Sequence, residues 1–386
     1  MNKYGQKICL SMIVKDEAHV IARCLESVRP IIDHWEIVDT GSTDGTQDVI
    51  RAALADLPGR LVERPWVDFA SNRSEALKLA RPHADYSLII DADDELMIPE
   101  DFEIPQLNEA SYMFKIIDGP FVYTRQQLIS NSKAWGYVGV LHEFLYCQGC
   151  LDGPIISLSM RRGHDGARRR DPETASRDIS ILENALKTEK NPFLVARYTF
   201  YLAKYYQNGG KIEETLDLFL RRAELGHGDE EVYDSLINAA ATMETLNKPK
   251  ELIFALYDRA IQLRPARAEA RYGASRYCRL RKDYFLGYRY AAEGVSLAMP
   301  DDGIDLRPWI YIYGIHEEYV IHACHVGQYR VCLSACLNIL SRSEVSNEVH
   351  QKASDLAKRA LSKLIDPVWG CQQSAYSSEY LSVWQP

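Results

Sequence analysis

Short apolar runs alternate with amphipathic stretches over the first 165 or so residues of the chain. The apolar runs have the length of buried strands, and the stretches between them repeat their apolar residues at helical spacing. The predicted strands are KICLSMIV, WEIVD, RLVERPW and YSLIID, and the predicted helices are EAHVIARCLESVRPII, GTQDVIRAALADL and SNRSEALKLAR. Strands that alternate with helices predict an α/β fold with a mostly parallel sheet covered on both faces.

The pattern changes near residue 171, where Asp171 and the proline after it suit the start of a helix. From there to the end of the chain, helical segments follow one another and none has the pattern of a strand. Pro265 and Pro300 each close a helical segment, and their separation is close to the roughly 34-residue period of tetratricopeptide repeats. We therefore expect an α/β domain over residues 1–170 and an all-α, tetratricopeptide-like solenoid over residues 171–386.

Composition restricts the classes of function. A chain of 386 residues with 46% hydrophobic content can bury the cores of two or more domains. Its net charge of -9 argues against general electrostatic binding to nucleic acid or to an anionic membrane. No apolar run is long enough to span a bilayer, and the first one is too short for a signal peptide. An odd number of cysteines, 9, is typical of reduced thiols and predicts a cytoplasmic protein.

The segment LIIDADDEL places four acidic residues directly after a buried strand. Asp91 and Asp93 are expected on one face of the emerging strand, where two carboxylates repel each other unless a cation or a proton separates them. Hard divalent cations such as Mg²⁺ and Mn²⁺ prefer oxygen ligands and often complete their shell with substrate phosphates. The segment indicates a metal and diphosphate site, with a solvated acidic loop as the alternative.

A second segment, VDTGSTDGT, supports the first of these interpretations. Asp39 lies at the end of another predicted strand, and a turn of small residues leads from it into a helix. The free N–H groups at the start of a helix suit anions. Because parallel strands end at the same edge of a sheet, both segments are expected at one ligand-binding edge.

Five segments then resemble, in their order along the chain, a family 2 glycosyltransferase with the GT-A fold, which is Rossmann-like. They lie between residue 7 and about residue 170 and are SMIVKDE, VDTGSTDGT, DFASNRSEALKLA, LIIDADDEL and VGVLHEFL. The helical part, with RDISILENAL, FYLAKYY and DEEVYDSL, is similar to bacterial glycosyltransferases that carry tetratricopeptide-like helices behind the catalytic domain.

The resemblance implies how the donor is bound. Asp39 would hold the base or ribose of a nucleotide sugar, and Asp91 would contact the ribose or the outer shell of the metal. Asp93 matches the direct metal ligand of the family. The resemblance thus implies Mn²⁺ or Mg²⁺ as cofactor and a nucleotide diphosphate sugar, expected to be a UDP-sugar, as donor.

Further donor-side residues match less completely. Lys15 and Glu17 match a K-N-E pattern after the first strand, although Asp16 replaces the asparagine and leaves the contacts of this pattern open. Arg73 matches an arginine that lies near the donor phosphates or braces the aspartates. The residue after this arginine is often asparagine, and here it is Ser74, so only the arginine carries an implied role.

The segment WGYVGVLHEFL matches the acceptor side of such enzymes. Gly136 and Gly139 would let the backbone approach the sugar, and Glu143 matches the catalytic carboxylate. A carboxylate there can remove the proton of an acceptor hydroxyl as it attacks the anomeric carbon. His142 would orient rather than react, and without the other segments both residues would be interpreted as surface residues at the end of a strand.

The segment RRGHDGARRR closes the predicted catalytic domain. GT-A enzymes commonly take a histidine ligand for the metal from this edge, and His164 falls there. Imidazole suits Mn²⁺ in a mixed carboxylate and histidine site. The five arginines of residues 161–170 could clamp a diphosphate or track a phosphodiester backbone, and a charged linker between domains is the third possibility.

Two hypotheses of different classes result. The first is a metal-dependent, inverting glycosyltransferase of the hexosyltransferase type that acts on a macromolecular acceptor. A peptide or protein, a glycan and a modified nucleic-acid base all remain open as acceptors, and the helical domain would bind the acceptor or form a homo-oligomer. The second is a non-catalytic scaffold that binds a peptide or protein through its helices and retains a degenerate nucleotide-binding domain.

Overall fold

The computed structural model of the protein describes residues 2–119, 121–300 and 303–364. The chain divides into two compact units, Met1–Leu202 and Ala203–Pro386. The boundary between these units falls within one helix, later than the change of sequence pattern. The division at residue 171 therefore stays a prediction about the extent of the domains.

The first unit combines strands and helices in alternation over its first half. Its strands in chain order are β1 Ile8–Val14, β2 His34–Asp39, β3 Gly59–Glu63, β4 Tyr86–Ile89, β5 Glu95–Met97, β6 Ser111–Asp118, β7 Phe121–Ser130, β8 Gly136–Val138, β9 Phe144–Tyr146 and β10 Ile155–Arg161. Its helices are α1 Ile21–Val28, α2 Thr46–Ala53, α3 Phe69–Ala80, α4 Ala167–Arg170, α5 Thr174–Thr188 and α6 Pro192–Asn208, of which α6 continues into the second unit. Short 3₁₀ turns follow α1 at Arg29–Ile31 and α3 at Arg81–His83.

Eight strands form one mixed sheet in the order β3-β2-β1-β4-β7-β6-β10-β5. The pairs within β3-β2-β1-β4 are parallel, as is the β6 and β10 pair. Strand β7 runs antiparallel to both of its neighbours, and β5 runs antiparallel to β10. The four predicted strands and the three helices between them are confirmed, and the sheet is mostly parallel with antiparallel strands on one side. Strands β8 and β9 form a separate antiparallel ribbon.

Helices cover both faces of the parallel part of the sheet. Leu10 and Leu88 are paired in register and belong to the core that includes Leu25 of α1. On the opposite face, Ile89 packs with Leu77 of α3. Parallel strands buried on both faces need apolar residues at successive positions, which explains why these strands are continuous apolar runs rather than alternating ones.

The second unit is helical throughout the part that the structure describes. Its helices are α7 Ile212–Leu225, α8 Asp229–Thr245, α9 Lys250–Leu263, α10 Glu269–Leu280, α11 Tyr284–Gly294, a π-helix Ile310–Gly314, α12 Ile315–His325, α13 Tyr329–Leu340 and α14 Asn347–Leu364. Each of these α-helices packs against its neighbour in sequence, which is the arrangement of stacked helical hairpins. The tetratricopeptide-like, solenoid fold predicted for this part of the chain is confirmed.

Small residues at helix contacts explain the repeated pattern of this unit. A Cβ atom on Gly273 would lie 2.5 Å from the ring of Tyr257, so helices α9 and α10 approach closely only with glycine there. The same contact brings Ala274 into the core beside Tyr257. Among the described residues, no helix is long and apolar enough to cross a membrane.

Candidate active site

The candidate residues gather at the edge of the sheet where the parallel strands end. Asp39 is the last residue of β2, and Asp91 follows β4 by two residues. Lys15 follows β1 and is exposed. These side chains therefore lie at one edge of the sheet, as the sequence predicts, and this is the edge at which α/β sheets commonly bind ligands.

Asp39 is buried and is held by its own turn. Its Oδ2 accepts hydrogen bonds from the backbone N–H groups of Gly41 (3.2 Å) and Ser42 (3.1 Å) and from Gln47 Nε2 (3.1 Å). Gly41 has a φ of 103°, a conformation that favours glycine. The small-residue turn therefore fixes the Asp39 carboxylate. Its contact with a base or ribose stays a prediction.

One arginine joins two of the predicted site carboxylates. From helix α3, Arg73 donates a hydrogen bond to Asp91 Oδ1 (2.6 Å), and its Nε lies 2.8 Å from Glu143 Oε1. The second contact has ion-pair distance without hydrogen-bond alignment. Burial favours the neutral form of Asp91, but Arg73 and Arg125 outweigh it and hold the pKa of Asp91 well below its usual range. Asp91 is therefore a fixed negative charge.

Glu143 follows a tight turn between β8 and β9. A Cβ atom on Gly139 would lie 3.5 Å from the Glu143 backbone and 3.6 Å from the hydroxyl of Tyr198, and the φ of Gly139 is 106°. Burial raises the pKa of Glu143 above its usual range, although Arg73 opposes the shift. Glu143 thus differs from Asp91 in protonation behaviour while sharing the same guanidinium, and its role as base stays a prediction.

His142 is turned towards the helical side of this unit. Its ring stacks on Tyr201 with centroids 3.6 Å apart, and its carbonyl accepts a hydrogen bond from Arg197. Burial and the nearby Arg197 lower the pKa of His142 to about 4. These contacts make His142 a neutral packing residue at physiological pH.

A second group of carboxylates lies around the acidic segment. Asp94 is buried and accepts the backbone N–H of Gly163 at 3.0 Å. Glu17 accepts the backbone N–H of Ala167 at 3.1 Å. A Cβ atom on Gly166 would lie 2.9 Å from Asp93 Oδ2 and 3.4 Å from Glu17 Oε1, so these two carboxylates border the same glycine.

The carboxylates of this second group disfavour one another's ionisation. Burial raises the pKa of Glu17 to about 7, and the Asp93 charge adds to the shift. Burial also raises the pKa of Asp94 to about 7, with Asp91 as the next cause. Crowded, poorly solvated oxygen donors of this kind are what a hard divalent cation neutralises.

The predicted histidine ligand has another partner. His164 Nε2 lies 2.8 Å from Asp118 Oδ1 at the end of β6, and its side chain is about half exposed. The backbone of the neighbouring Gly163 does contact the acidic segment. It lies so close that a Cβ atom on this residue would be 2.0 Å from the Asp93 carbonyl oxygen. The backbone of this loop is therefore beside Asp93, while the metal-ligand role of His164 stays a prediction.

Several arginines of the loop 161–170 already pair with acids or other polar groups. Arg161 pairs with Glu95 (3.0 Å), and Arg168 with the buried carboxylate of Asp178 (2.5 Å). Arg162 donates to the hydroxyl of Tyr123, and Arg170 contacts His19. These contacts fit a loop that is tied to the α/β unit, and binding of phosphate by it stays a prediction.

Three residues beside the site were not found from the sequence. Arg125 on β7 lies 3.8 Å from Asp91, and Gln127 on the same strand donates to the Ile89 carbonyl. The ring of Tyr137 faces Arg73, and the Tyr137 N–H donates to Ser74 Oγ at 2.8 Å. The stretch TRQQL around residues 125 and 127 has no alternation of polar and apolar residues, so no sequence signal pointed to them.

Comparison with known proteins bears on the family resemblance. Residues 9–126 match the family model described as "Glycosyl transferase family 2". An uncharacterized glycosyltransferase of Rickettsia felis is 38% identical over 92 residues, which cover 24% of this chain and 30% of the relative. Glycosyltransferase SunS, derived from the SPbeta prophage of Bacillus subtilis, is 24% identical over 226 residues, which cover 54% of this chain and 51% of the relative. The matched part of the chain thus spans about half or less of the length of these relatives.

Two further similar proteins are a curated relative and a solved structure. A repeat-containing protein of Synechococcus elongatus, named for its TPR repeats, is 38% identical over 93 residues, 24% of this chain and 22% of the relative. Among solved structures, the alignment with MamA covers 54% of this chain and 96% of the MamA chain, with 13% sequence identity and a TM-score of 0.34. Together with the family match, the relatives confirm the resemblance described from the sequence.

Proposed function

Since residues 9–126 match glycosyltransferase family 2, we propose that the protein is a metal-dependent, inverting glycosyltransferase. The proposed donor is a nucleotide diphosphate sugar, with UDP as the nucleotide, and the proposed acceptor is a macromolecule. The observation that carries this proposal is the Arg73 guanidinium, which holds Asp91 on one side and Glu143 on the other. Donor-side and acceptor-side carboxylates are thereby fixed around one cation.

In the proposed reaction, Glu143 takes the proton of the acceptor hydroxyl as that oxygen attacks the anomeric carbon. A general base works best when its pKa lies near the working pH, and the burial that raises the pKa of Glu143 acts in this direction. Arg73 orients the Glu143 carboxylate. Asp91, with its low pKa, remains ionised and keeps Arg73 in place throughout.

The donor types at the acidic segment suit a divalent cation, and Asp93 and Glu17 present carboxylate oxygens beside Gly166. Asp94 accepts the backbone N–H of Gly163 instead, and in the part of the chain that the structure describes these three carboxylates do not lie within 4.8 Å of one another. Such hard oxygen ligands suit Mn²⁺ or Mg²⁺, which would neutralise the leaving diphosphate. His164 would join the ligands only by releasing Asp118, the acid with which it is paired.

The acceptor and the setting of the reaction complete the proposal. A peptide or protein is favoured as acceptor, because a helical repeat unit offers a long surface for a chain-like ligand. A glycan or a modified nucleic-acid base are the other candidates, and the same helices could also form a homo-oligomer. The proposed setting is the reducing cytoplasm, as the odd number of cysteines in the sequence predicts.

Calorimetry with UDP and Mn²⁺, followed by a screen of UDP-sugars for hydrolysis and transfer, tests the proposal. We expect UDP to bind more tightly with Mn²⁺ than with EDTA, and the Asp93→Asn variant to lose this difference. The Asp56→Asn variant is the control, because Asp56 forms an exposed ion pair with Arg29 away from the site. Absence of binding at millimolar UDP would contradict the proposal and favour the non-catalytic scaffold.

A further inference from the structure

Two histidines and one glutamate converge at the other end of β2, away from the candidate active site. His34 begins the strand, Glu36 is fully buried within it, and His83 belongs to the turn that follows α3. The Nε2 atom of His34 lies 3.2 Å from Glu36 Oε1, and the Nε2 atom of His83 lies 3.4 Å from the same oxygen. All three potential ligand atoms lie within 4.8 Å of one another.

The fold itself brings these side chains together. His34 and Glu36 are two positions apart on a strand, so their side chains point to the same face of the sheet. Helix α3 packs on the sheet and ends in the turn Arg81–His83, which delivers the third residue. The two imidazole rings lie almost parallel, with centroids 4.2 Å apart. Both rings therefore approach one carboxylate oxygen from neighbouring directions.

We propose that His34, Glu36 and His83 bind a first-row transition-metal ion, with Zn²⁺ as the preferred ion. Two imidazoles and one carboxylate are an established donor set for zinc. Tetrahedral Zn²⁺ with bonds of about 2.0 to 2.1 Å holds its ligand atoms about 3.4 Å apart. The two nitrogen–oxygen contacts of 3.2 and 3.4 Å have the length of two edges of this tetrahedron. Because the rings are stacked and a metal lies in the plane of each imidazole that binds it, one ring has to rotate for both Nε2 atoms to face the same ion. The partly exposed side chain of His83 leaves solvent access for a water as fourth ligand.

This site differs in chemistry from the carboxylates at the opposite edge. Oxygen-only donors suit Mg²⁺ and Mn²⁺, whereas a pair of imidazoles favours zinc. A metal bound here fastens the first residue of β2 to the end of α3, the helix that carries Arg73. Because the three ligands are brought together only in the folded chain, bound zinc stabilises the fold by linkage.

Arg60 competes with the metal for the same carboxylate. Its Nε donates to both carboxylate oxygens of Glu36, at 2.9 and 3.2 Å, from the adjacent strand β3. More than half of the Arg60 side chain is exposed, whereas Glu36 is buried, so water screens only the arginine side of this ion pair. A zinc ion would displace the guanidinium from at least one oxygen. If zinc competes with Arg60 for Glu36, removal of Arg60 should raise the affinity for zinc.

The first experiment is calorimetric titration of the metal-stripped full chain with Zn²⁺, with Co²⁺ absorption as a second readout. We expect one zinc per chain and the visible spectrum of low-coordinate Co²⁺. In the His83→Ala variant we expect the cobalt spectrum to be lost and zinc affinity to fall by more than the roughly 10- to 100-fold that loss of a supporting contact causes. The His350→Ala variant, with its change in a helix of the second unit, is the control and should bind zinc as the unaltered chain does. Equal zinc affinity in the unaltered and His83→Ala chains would overturn the proposal.

The second experiment uses the Arg60→Met variant, which frees the Glu36 carboxylate without touching a proposed ligand. Zinc affinity should rise in this variant, and the thermal stabilisation produced by zinc should increase with it. If the cluster only supplies hydrogen bonds to a buried carboxylate, removal of Arg60 should leave the affinity for zinc unchanged and lower the stability of the folded chain. Unchanged or weaker zinc binding in Arg60→Met would therefore also overturn the proposal.

Discussion

Two groups of carboxylates lie at the same edge of the sheet and are neutralised in different ways. Asp91 and Glu143 share the guanidinium of Arg73, so this first group contains its own cation. In the second group, Glu17 and Asp94 accept hydrogen bonds from backbone N–H groups, and burial raises the pKa of each to about 7. Arg73 stabilises the charge of Asp91, whereas burial still raises the pKa of Glu143 although the same guanidinium opposes the shift. Among the described residues, the carboxylates of the second group have no such cation beside them and are poorly compensated.

The difference indicates which group awaits a ligand. A buried carboxylate that already pairs with an arginine has little to gain from a metal ion, whereas crowded carboxylates with raised pKa values gain much. We therefore expect mutations in the two groups to have opposite effects on the stability of the metal-free protein. The largest expected effect is on catalysis.

Replacement of Glu143 by glutamine should have the largest effect. Glutamine keeps the shape of the side chain but cannot accept the proton of an acceptor, so sugar transfer should fall by roughly two to four orders of magnitude. UDP affinity should change little. Transfer rates and calorimetry on the same preparation measure both quantities, and Glu63→Gln, an exposed change at the end of β3, is the matched control.

Near-normal transfer by Glu143→Gln would identify another carboxylate as the base. Asp94, Glu95 and Asp165 are then the next residues to test. The carboxylates that share Arg73 would then have a structural role only.

Replacement of Asp91 by asparagine should be the most damaging change to stability. It removes the acid to which Arg73 donates at 2.6 Å and leaves a largely buried guanidinium with one charged partner, Glu143. Loss of one member of a buried ion pair costs about 3 kcal/mol or more in the free energy of unfolding. Urea denaturation of Asp91→Asn beside Asp56→Asn, an exposed ion-pair control, measures the cost. Equal stability of the two variants would show that Arg73 does not depend on Asp91.

The order of elements around these groups could be predicted from the sequence, but their ends could not. The first helix was expected over residues 17–32, whereas it runs over Ile21–Val28. Glu17 instead binds the backbone of Ala167, and the proline at position 30 lies in a 3₁₀ turn. Hydrophobic periodicity is a local property, while the ends of the helix are decided by contacts that are distant in sequence.

The same distinction applies to the candidate site. The segment around Asp91 and the position of Arg73 were evident from the sequence, because each lies in a recognisable local pattern. That Arg73 braces an aspartate was one of the two roles that the resemblance implied, and the arginine does pair with Asp91. The contribution of Arg125 was not evident, since β7 pairs antiparallel with β4 and was not among the predicted strands. The contact of His164 with Asp118 likewise depends on β6, a strand outside the predicted set. Contacts between charged residues that are distant in the chain produce no periodic pattern in the sequence.

Asp94 should make the stability of the metal-free protein depend on pH. Its pKa is about 7 in the folded chain against an ordinary value of 3.8, so the folded state binds the proton more tightly than the unfolded state does. The stability from this group is complete below about pH 3.8 and is lost as the pH rises through 7. Asp94→Asn keeps a neutral acceptor for Gly163 and should exceed the unaltered chain in stability at pH 8, by on the order of 2 kcal/mol. Denaturation in EDTA at pH 4 and pH 8 measures this gap, which should close at pH 4. Equal stability of Asp94→Asn and the unaltered chain at both pH values would show that ionisation of the buried Asp94 costs the folded protein nothing, and the two groups would then not differ in this respect.

The smallest effect on stability is expected from Asp93→Asn, which nevertheless separates the two groups most directly. In EDTA, loss of this charge relieves repulsion with Glu17, so the variant should be equal to the unaltered chain or more stable by less than about 1 kcal/mol. With Mn²⁺ and UDP the order should reverse, because ligand binding to the folded state raises the melting temperature of the unaltered chain alone. Asp91→Asn should show no such reversal, since it is already less stable in EDTA. Thermal melting of both variants, with and without Mn²⁺ and UDP, makes the comparison. If Asp93→Asn keeps the full stabilisation by Mn²⁺ and UDP, the metal binds elsewhere, and the poorly compensated carboxylates of Glu17 and Asp94 need another explanation.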